Sequence, residues 1–541
     1  MRLSDLHAPT LREAPRDLDH PGQRALARAG LFRLLDGVPG AGLAVLPVGV
    51  IALERLATTL RTAIVAPRPQ PIFLPSPPAA ATVSPADLVA ALLARDLRSY
   101  RELPLVFHTA ATVLAATPRA RAGLLGAREE PTLDLWIAAA DDAFDPALAT
   151  VLSALDGAMT RLGLAPQRVA VSAVGGSVGE RWVAPDLTDE VAFAWCGGCQ
   201  QATLARLAPV GHLAAAPMAA PGPRRAVATP DQRSVPEVAA FLGRSPAHLL
   251  KTLIVEADGA LVAALVPGDR ELSLDKLGRA LGAQQLRLAG DSAVVAATGA
   301  PVGFAGPVDL ALPIVADSAA VPGSAWITGG NAEDLHLVDV SPGRDFVATH
   351  IADITTFEDR DPCPLCTAPR ARRGGTELVR VERYGAGPAD RIGLTVDTPE
   401  GGARPVALAL VRIRLAHLLG AVGERGTGEA GLVWPIAAAP WDVVVVSLGQ
   451  GADATGLAAE AAAAALGERG IATLLDDREL RPGQKLGDAE LMGHPLIAVI
   501  GRRGLERGVA ELRRRARGDV LEVPLDGIAS AVLAELAGGT P

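Results

Sequence analysis

The sequence predicts a multidomain fold that combines an α+β domain with smaller α/β domains, and three observations lead to this prediction. The chain has 541 residues, enough for three or four domains of ordinary size. Its C-terminal part alternates short apolar strands with helices, which is typical of a parallel α/β sheet. Two Cys-x-x-Cys pairs are separated by residues 200–362, a stretch as long as a domain. A domain inserted into a parent domain explains that separation.

Four segments follow one another along the chain, at 1–222, 223–347, 348–437 and 438–541. The first mixes helical and strand patterns, including the helical stretch "LAVLPVGVIALERLATTLRTAI" and a proline-rich break. The linker "AAAPMAAPGPRR" leads into the second, a short α/β pattern, and the third is rich in strands and ends in "GLVWP". The fourth alternates from "WDVVVVSLG" to "HPLIAVIG" and predicts a βαβαβ unit.

Composition argues against a membrane protein. Hydrophobic residues make up 49% of the chain and the mean hydropathy is +0.27, but the excess is mostly alanine. No apolar run approaches the roughly 18 residues of a membrane span, and the first residues are too charged for a signal peptide. We therefore expect a soluble, cytoplasmic protein with no membrane partner, in which paired thiols favour a metal over a disulfide.

The balance of charges excludes one class of partner and singles out three residues. A net charge of −9 argues against non-specific binding of polyanions, although a local basic groove remains compatible with it. Of the 51 basic residues only Lys251, Lys276 and Lys485 are lysines. Either chance preserved them, or these positions require a compact or titratable ammonium.

The four cysteines predict a structural zinc site. Cys196 and Cys199 form one Cys-x-x-Cys pair, Cys363 and Cys366 form the other, and no thiol is left over. Four thiolates suit a tetrahedral zinc ion, and two such turns would clamp the neck of an inserted domain. Four unrelated reduced thiols or two local redox pairs are the alternatives, but neither pair has flanks that resemble a thioredoxin-like site.

Longer stretches resemble the bacterial prolyl-tRNA synthetase family over nearly the whole chain. "LLDDRELRPGQKLGDAELMGHPLIAVIG" is similar to the anticodon-binding domain, and "RAVATPDQRSVPEVAAFLGRSPAHLLKTLIVEADGALVAALVPGDRELSLDKLG" is similar to the inserted editing domain. "ARAGLFRLLDGVPGAGLAVLPVGVIALERL", "RSYRELPL" and "VSAVGGSVGERWVAP" resemble the catalytic domain. The resemblance implies a class II antiparallel catalytic core at 1–222 and 348–437, an editing domain at 223–347 and an anticodon-binding domain at 438–541.

The same resemblance implies substrates, cofactors and partners. They are proline, ATP with Mg²⁺, and tRNA for proline, and the family's usual assembly is a homodimer. Some bacterial members carry paired Cys-x-x-Cys turns on either side of the insertion, which agrees with the zinc prediction.

The inserted segment keeps the family's editing pattern. In the family this domain hydrolyses alanine wrongly attached to tRNA for proline. The matching pocket positions are Lys251, Asp269, Gly303, Gly306, Pro307, Asp317 and His336. An ammonium can hold a phosphate or the ribose of the acceptor end, and amides of the "GFAGP" loop can orient the ester. The histidine can hold water or a ribose hydroxyl, or can serve only as a structural hydrogen-bonding group.

The synthetic site departs from the family pattern in motif 2 and in the amino-acid loop. The arginine that holds the ATP α-phosphate falls on Ala115, and the following acid falls on Thr117. The family's Thr-x-Glu aligns with Ser84 to Ala86, which removes the carboxylate expected for the ammonium of proline unless Asp87 replaces it.

Motif 3 has lost its glycines in "ALALVRIRLAHLLGAVGERG". An ungapped count places His417 on the arginine position, and a small gap places Arg414 there. The candidate residues for ATP and proline are Ser84, Arg119, Arg128, Arg414 and His417. Loss of one preorganised charge donor costs about 10²- to 10³-fold in rate.

The sequence thus predicts a prolyl-tRNA synthetase homologue with working editing and impaired proline activation. The alternatives are a working ligase with a rearranged ATP site and a non-catalytic tRNA- or protein-binding paralogue.

Overall fold

The structure is a computed structural model, and the part of the chain that it describes has internal gaps. The described residues are 1–35, 42–75, 83–115, 119–171, 179–210, 222–398, 401–428, 431–449 and 453–538. The chain divides into two units, each built from separate stretches. Unit 1 comprises Met1–Arg168, Val178–Glu190 and Gly375–Pro541, and unit 2 comprises Val169–Ser177 and Val191–Gly374.

The helices and strands have the following bounds. From the N-terminus they are α1 (Pro21–Arg28), β1 (Phe32–Leu34), β2 (Leu43–Val45), α2 (Pro47–Ala63), β3 (Gln70–Pro71), α3 (Pro85–Asp96), β4 (Leu105–Leu114), β5 (Glu129–Ala140), α4 (Phe144–Arg161), β6 (Gln167–Ala170) and β7 (Gly179–Pro185). Next come β8 (Val191–Cys196), β9 (Ala202–Leu204), β10 (Arg225–Ala228), α5 (Val235–Phe241), β11 (Leu250–Ala257), β12 (Ala260–Pro267), α6 (Leu274–Leu281), β13 (Leu286–Leu288), α7 (Asp291–Thr298), β14 (Ile314–Asp317), β15 (Trp326–Gly329), β16 (Leu335–Val340) and β17 (His350–Ala352). The remainder are β18 (Arg370–Gly385), α8 (Gly387–Ile392), β19 (Thr395–Asp397), β20 (Ala403–Arg414), α9 (Leu415–Arg425), β21 (Thr427–Gly428), β22 (Gly431–Leu432), β23 (Val443–Ser447), α10 (Ala454–Glu468), β24 (Thr473–Asp476), α11 (Pro482–Met492), β25 (Leu496–Ile500), α12 (Arg502–Glu506), β26 (Val509–Arg514), β27 (Asp519–Pro524) and α13 (Ile528–Gly538).

Unit 1 contains an antiparallel sheet in the order β4, β5, β20, β18, β7. Successive side chains of a strand point to opposite faces, so each strand contributes to two different environments. On one face Leu135 and Val411 pack into the same core as helices α2, α4 and α9. On the other face Trp136 and Leu410 pack under helix α3. The predicted antiparallel core is confirmed.

Helix α3 begins at a well-formed N-terminal cap. Ser84 accepts a hydrogen bond from the backbone N–H of Asp87, and the Asp87 carboxylate accepts one from the N–H of Ser84. This reciprocal capping box satisfies donors that the first helical turn would otherwise leave unpaired. Buried Ala86, Val89 and Ala90 then face the sheet. The helix covers only the end of this sheet face that is lined by apolar residues.

The C-terminal part of unit 1 is an α/β subdomain. Strands β24, β23 and β25 are parallel, and β26 and β27 extend the sheet with antiparallel pairing. Helices α10 and α13 pack with one face of the sheet, where Ala459, Val445 and Val532 share a core. The predicted βαβαβ unit is confirmed.

In unit 2, strands β10–β17 form two sheets, and β8 pairs antiparallel with β9. The larger has the order β13, β11, β12, β14, β17, and the smaller has the order β10, β16, β15. Residues of the two sheets, such as Leu250 and Trp326, share one buried cluster. Val238 on helix α5 packs with Leu249 and Ile327 in another.

None of the helices in the described ranges is long and apolar enough to cross a membrane.

Candidate functional sites

The four cysteines of the predicted zinc site lie together in unit 2. Their sulfur atoms are all within 4.8 Å of one another. The Sγ atoms of Cys196 and Cys366 are 3.4 Å apart, and those of Cys199 and Cys363 are 3.7 Å apart. These distances are too long for disulfides, whose sulfurs lie about 2 Å apart. They approach the edge of about 3.8 Å that a tetrahedron has when its metal–sulfur bonds are about 2.3 Å long.

The two cysteine turns have the same backbone geometry. The N–H of Gln200 donates to the carbonyl of Cys196 at 2.9 Å, and the N–H of Thr367 donates to that of Cys363 at 2.8 Å. Gln200 and Thr367 also share a left-handed backbone, with φ of 60° and 61°. Each turn therefore aims two sulfurs at one point, and this donor set fits a thiolate-bound metal ion.

A cavity of about 370 Å³ lies in unit 2, in the segment predicted to be the editing domain. Its walls are largely apolar, with a few polar groups among them. The polar side chains that line it belong to Arg233, Ser234, Lys251, Thr252, Asp291, Thr328 and His336. Gly303 and Ala305 of the "GFAGP" loop line it as well.

Lys251 on β11 is the predicted pocket residue that holds a positive charge. Its Nζ donates to Glu271 Oε1 at 2.9 Å, with the lysine side chain 19% exposed and the glutamate 76% exposed. An ion pair with so exposed a partner contributes little to stability, so a phosphate can displace the carboxylate. The ammonium is thus available to a ligand in the cavity.

His336 on β16 is 4% exposed and lines the same cavity. Burial lowers the pKa of its imidazole, so the ring is neutral near pH 7. Its Nδ1 lies 2.7 Å from the hydroxyl of Thr229, and its ring packs at a tilt against Phe304. Its cross-strand neighbour is Gly329, which has no side chain to crowd the imidazole.

The "GFAGP" loop packs tightly against strand β15. A Cβ on Gly306 would lie 1.8 Å from the carbonyl oxygen of Gly329, so only glycine fits there. The N–H of Gly306 donates to Asn331 Oδ1 at 2.7 Å, and Pro307 has no N–H. Within the described ranges the amides of Gly303 and Ala305 donate to no protein group. These two amides are the ones that can face an ester.

Two predicted carboxylates lie outside the cavity lining. Asp317 is buried, and its carboxylate accepts the N–H groups of Ala319 and Ile354, both at 3.0 Å. Burial raises the pKa of Asp317 although these hydrogen bonds oppose the rise. Asp269 is exposed on the turn that follows β12. Of the predicted pocket residues, the cavity brings together Lys251, Gly303 and His336, but not Asp269, Gly306, Pro307 and Asp317.

Sequence reasoning missed two threonines, one that lines this cavity and one that contacts His336. Thr252 follows Lys251 on β11, and its buried hydroxyl has no hydrogen-bond partner among the described residues. The hydroxyl of Thr229 forms a hydrogen bond with the ring of His336. The sequence signal for these residues is a threonine in an otherwise apolar stretch. This pattern does not distinguish a binding-site residue from a solvent-exposed one.

A second cavity, of about 710 Å³, lies in unit 1 at the charged end of the sheet face that carries Trp136 and Leu410. Ala115, Arg119, Arg414 and His417 line it, all at positions predicted to belong to the ATP site. Ala115 contributes no charge. Thr117 lies outside the described residues.

The arginines of this cavity are matched by carboxylates. Arg414 donates to Glu130 at 2.6 Å and also to Glu190, and Arg412 donates to both oxygens of Asp134 at 2.9 and 2.7 Å. Within the described ranges, five carboxylates and four arginines line the cavity: Asp19, Glu130, Asp189, Glu190, Glu377, Arg119, Arg380, Arg412 and Arg414. The lining has no excess of positive charge to offer a triphosphate.

His417, in the first turn of α9, is fully buried beside this network. Its Nδ1 lies 3.0 Å from the carbonyl oxygen of Glu377, and its Nε2 lies 3.5 Å from Glu130 Oε1. Burial alone would raise the pKa of Glu130, but His417 and Arg414 lower it to about 2. Glu130 is therefore an anion throughout the physiological pH range.

The remaining candidates for ATP and proline lie outside the lining. Ser84 caps α3, and Asp87, the possible substitute for the lost carboxylate, is committed to that cap and to Arg391. Arg128 contributes its carbonyl oxygen to the N–H of Ala115 at 2.8 Å. None of these three residues lines the cavity.

Two segments of the chain match known families of domains. Residues 229–346 match the family of aminoacyl-tRNA editing domains, and residues 442–535 match the family of anticodon binding domains. The fold is similar to that of prolyl-tRNA synthetase from Cryptosporidium parvum solved with halofuginone and AMPPNP. The TM-score is 0.50 at 10% identity, with 96% of this chain and 77% of that chain covered.

Sequence comparison extends over the whole chain. The chain is 32% identical to the proline–tRNA ligase of Moorella thermoacetica and 34% identical to that of Solidesulfovibrio magneticus, with 99% of each chain covered in both cases. It is 32% identical to the enzyme of Geobacter sulfurreducens, with 98% of each chain covered. The chain therefore belongs to the proline–tRNA ligase family.

Proposed function

We propose that this protein hydrolyses alanyl-tRNA for proline in its unit 2 cavity and that it activates proline poorly in its unit 1 cavity. The observation that carries the first half is the convergence of Lys251, His336 and two unpaired loop amides on one cavity. Family membership supports tRNA, proline and ATP as the partners of the ancestral reaction.

The unit 2 cavity has the groups that ester hydrolysis requires. The ammonium of Lys251 can hold a phosphate or ribose oxygen of the acceptor end. The amides of Gly303 and Ala305 can stabilise the negative charge that develops on the carbonyl oxygen when water attacks. The reaction needs no ATP, so it is independent of the unit 1 cavity.

The proposal that proline is activated poorly rests on the pairing of charges in the unit 1 cavity. In the register that places His417 on the motif 3 arginine, Arg412 and Arg414 stand at the positions of the motif's two glycines. Both are already paired with buried carboxylates, Asp134 and Glu130. A nucleotide phosphate would have to displace these carboxylates and leave buried charges unpaired, which costs several kcal/mol.

One observation favours a second candidate, a ligase with a rearranged ATP site. Arg119 lines the unit 1 cavity and is exposed, and its guanidinium has no hydrogen-bond partner within the described ranges. It could contact a phosphate in place of the arginine lost at Ala115. A proline-activation assay separates this candidate from the first.

Further assignments follow from the family and from the donor sets. We propose a structural zinc ion at Cys196, Cys199, Cys363 and Cys366, since four thiolates at these separations suit its tetrahedral geometry. We also propose the four segments 1–222, 223–347, 348–437 and 438–541 as catalytic, editing, catalytic and anticodon-binding parts. A cytoplasmic homodimer is the proposed working form.

The deciding experiment incubates the full chain with alanyl-tRNA and with prolyl-tRNA for proline and follows loss of the ester. We expect alanyl-tRNA to decay well above the buffer rate, and prolyl-tRNA to remain. Decay of alanyl-tRNA at the buffer rate would overturn the proposal and favour a binding-only paralogue.

A further inference from the structure

The hydrogen bond between Thr229 and His336 is buried on both sides. Thr229 is fully buried, His336 is 4% exposed, and Thr229 Oγ1 lies 2.7 Å from His336 Nδ1. Thr229 directly follows β10, which pairs with β16, and Val227 on β10 is the cross-strand partner of His336. The N–H of Thr229 also donates to the carbonyl of Asp334 at 2.8 Å, which fixes the threonine backbone.

The donor in this hydrogen bond can be identified by accounting for the protons. The Thr229 hydroxyl has no other hydrogen-bond partner in the described part of the chain. If Nδ1–H donated to the hydroxyl oxygen, the hydroxyl proton would be buried without an acceptor, which costs about 1–3 kcal/mol. If the hydroxyl donates to Nδ1, the ring proton is on Nε2 of a residue that lines the cavity, where water can accept it, and an oxygen lone pair left unused is the smaller cost. The hydroxyl is therefore the donor.

We propose that Thr229 is a positioning residue that holds His336 in its Nε2–H tautomer, so that the ring donates a hydrogen bond into the editing cavity. Nδ1 accepts from Thr229, so Nε2 carries the ring proton and is the nitrogen left for a ligand. This inference rests on the proposed hydrolysis of alanyl-tRNA. It assigns His336 the role of a donor and excludes that of a base.

The role fits the charge changes of ester hydrolysis. The water oxygen bonds to the carbonyl carbon, negative charge develops on the carbonyl oxygen, and the bond to the ribose oxygen then breaks. One proton of the water ends on the ribose oxygen, and the other stays with the released carboxyl group. An Nε2–H donor stabilises the developing oxyanion, together with the free amides of Gly303 and Ala305. His336 takes no part in moving the water proton.

Two substitutions of Thr229 separate the effect of its hydroxyl from the effect of its side-chain volume. Thr229→Val keeps the shape and removes the hydroxyl, whereas Thr229→Ser keeps the hydroxyl. We expect Thr229→Val to lower kcat for alanyl-tRNA by about tenfold, a part of the loss that removal of one oxyanion donor causes. KM should stay within about twofold, and Thr229→Ser should restore most of kcat. Thermal unfolding of each variant reports whether the fold is kept.

Nitrogen NMR of histidine-labelled full-length protein tests the tautomer without reference to activity. The signals of His336 are those that disappear in His336→Gln. We expect a protonated Nε2 and an unprotonated Nδ1 in the parent and in Thr229→Ser, and a mixture of tautomers in Thr229→Val.

Each contrary result overturns a defined part of this proposal. A proton on Nδ1 in the parent overturns the tautomer assignment, even in an active enzyme. The expected tautomer with an unchanged kcat in Thr229→Val overturns the positioning role. No hydrolysis by the parent overturns the proposed function itself and, with it, the catalytic purpose of the tautomer, while the NMR result still decides which nitrogen carries the proton.

Discussion

Arg412 and Asp134 face each other across two antiparallel strands, and the guanidinium donates to both carboxylate oxygens, at 2.9 and 2.7 Å. Arg414, two residues further along β20, lies on the same sheet face and pairs with Glu130 in the same way. Arg412, Arg414 and Glu130 line the unit 1 cavity. Where a nucleotide site presents open backbone and free positive charge, this cavity presents side chains that already neutralise one another.

Proline activation should therefore be weak. We expect ATP–pyrophosphate exchange with proline to be at least about 10²-fold slower than the median enzyme turnover of roughly 10 s⁻¹. Restoring the motif 2 arginine with Ala115→Arg should not recover activity, since Arg412 and Arg414 remain paired with Asp134 and Glu130. Exchange near the median rate in the parent would show that Arg119 or another arginine serves the phosphates. An Arg119→Ala variant would then identify the group responsible.

The low pKa of Glu130 predicts a specific acid dependence. The folded pKa is about 2, whereas the ordinary value is 4.5. The ionised Glu130 and its partner Arg414 stabilise the fold above pH 4.5, and this contribution to the free energy of unfolding is lost as the pH falls from 4.5 toward 2. It amounts to about 3 kcal/mol. Urea unfolding of Glu130→Gln should give a flatter dependence over that range than the parent.

The neighbouring exposed Glu129→Gln is the matched control for this measurement. It changes the same charge one residue away without touching the Arg414 pair. If both variants flatten the pH dependence of the free energy of unfolding equally, the effect comes from net charge. The buried pair would then make no separate contribution to the acid dependence.

Replacement of Lys251 by alanine should remove editing. We expect alanyl-tRNA hydrolysis to fall by about 10²-fold or more, since the variant loses the one ammonium that lines the cavity. Glu271→Ala is the control: it removes the exposed partner of the lysine and should keep the rate within about twofold. Full activity in Lys251→Ala, measured with the unfolding temperature unchanged, would contradict the assignment of the pocket.

Metal analysis should find one zinc ion per chain in protein purified without added zinc. Four thiols should react with a thiol reagent only after a chelator or a denaturant has been added. Removal of the metal should lower the unfolding temperature, since the ion joins two cysteine turns that residues 200–362 separate. Four freely reacting thiols in the native protein, with little metal, would rule out the site.

The sequence by itself determined the family and much of the fold. The alternation of "WDVVVVSLG" and the segments that follow it predicted the parallel sheet of β23, β24 and β25, since period and turn residues are local properties. The cysteine pairs predicted a cluster that the structure brings together. The loss of the motif 2 arginine at Ala115 was visible in the sequence because it depends only on the residue type at one position.

The tertiary structure alone decided what the charged residues do. Glu130 and Arg414 are far apart in sequence, and only the pairing of β5 with β20 places them on one face. The same holds for Thr229 and His336 across unit 2. Asp317 matched a pocket position, yet its carboxylate serves two backbone N–H groups of neighbouring chain. A motif specifies a residue type, but the role of a polar group depends on which partners reach it first, and strand register decides those partners.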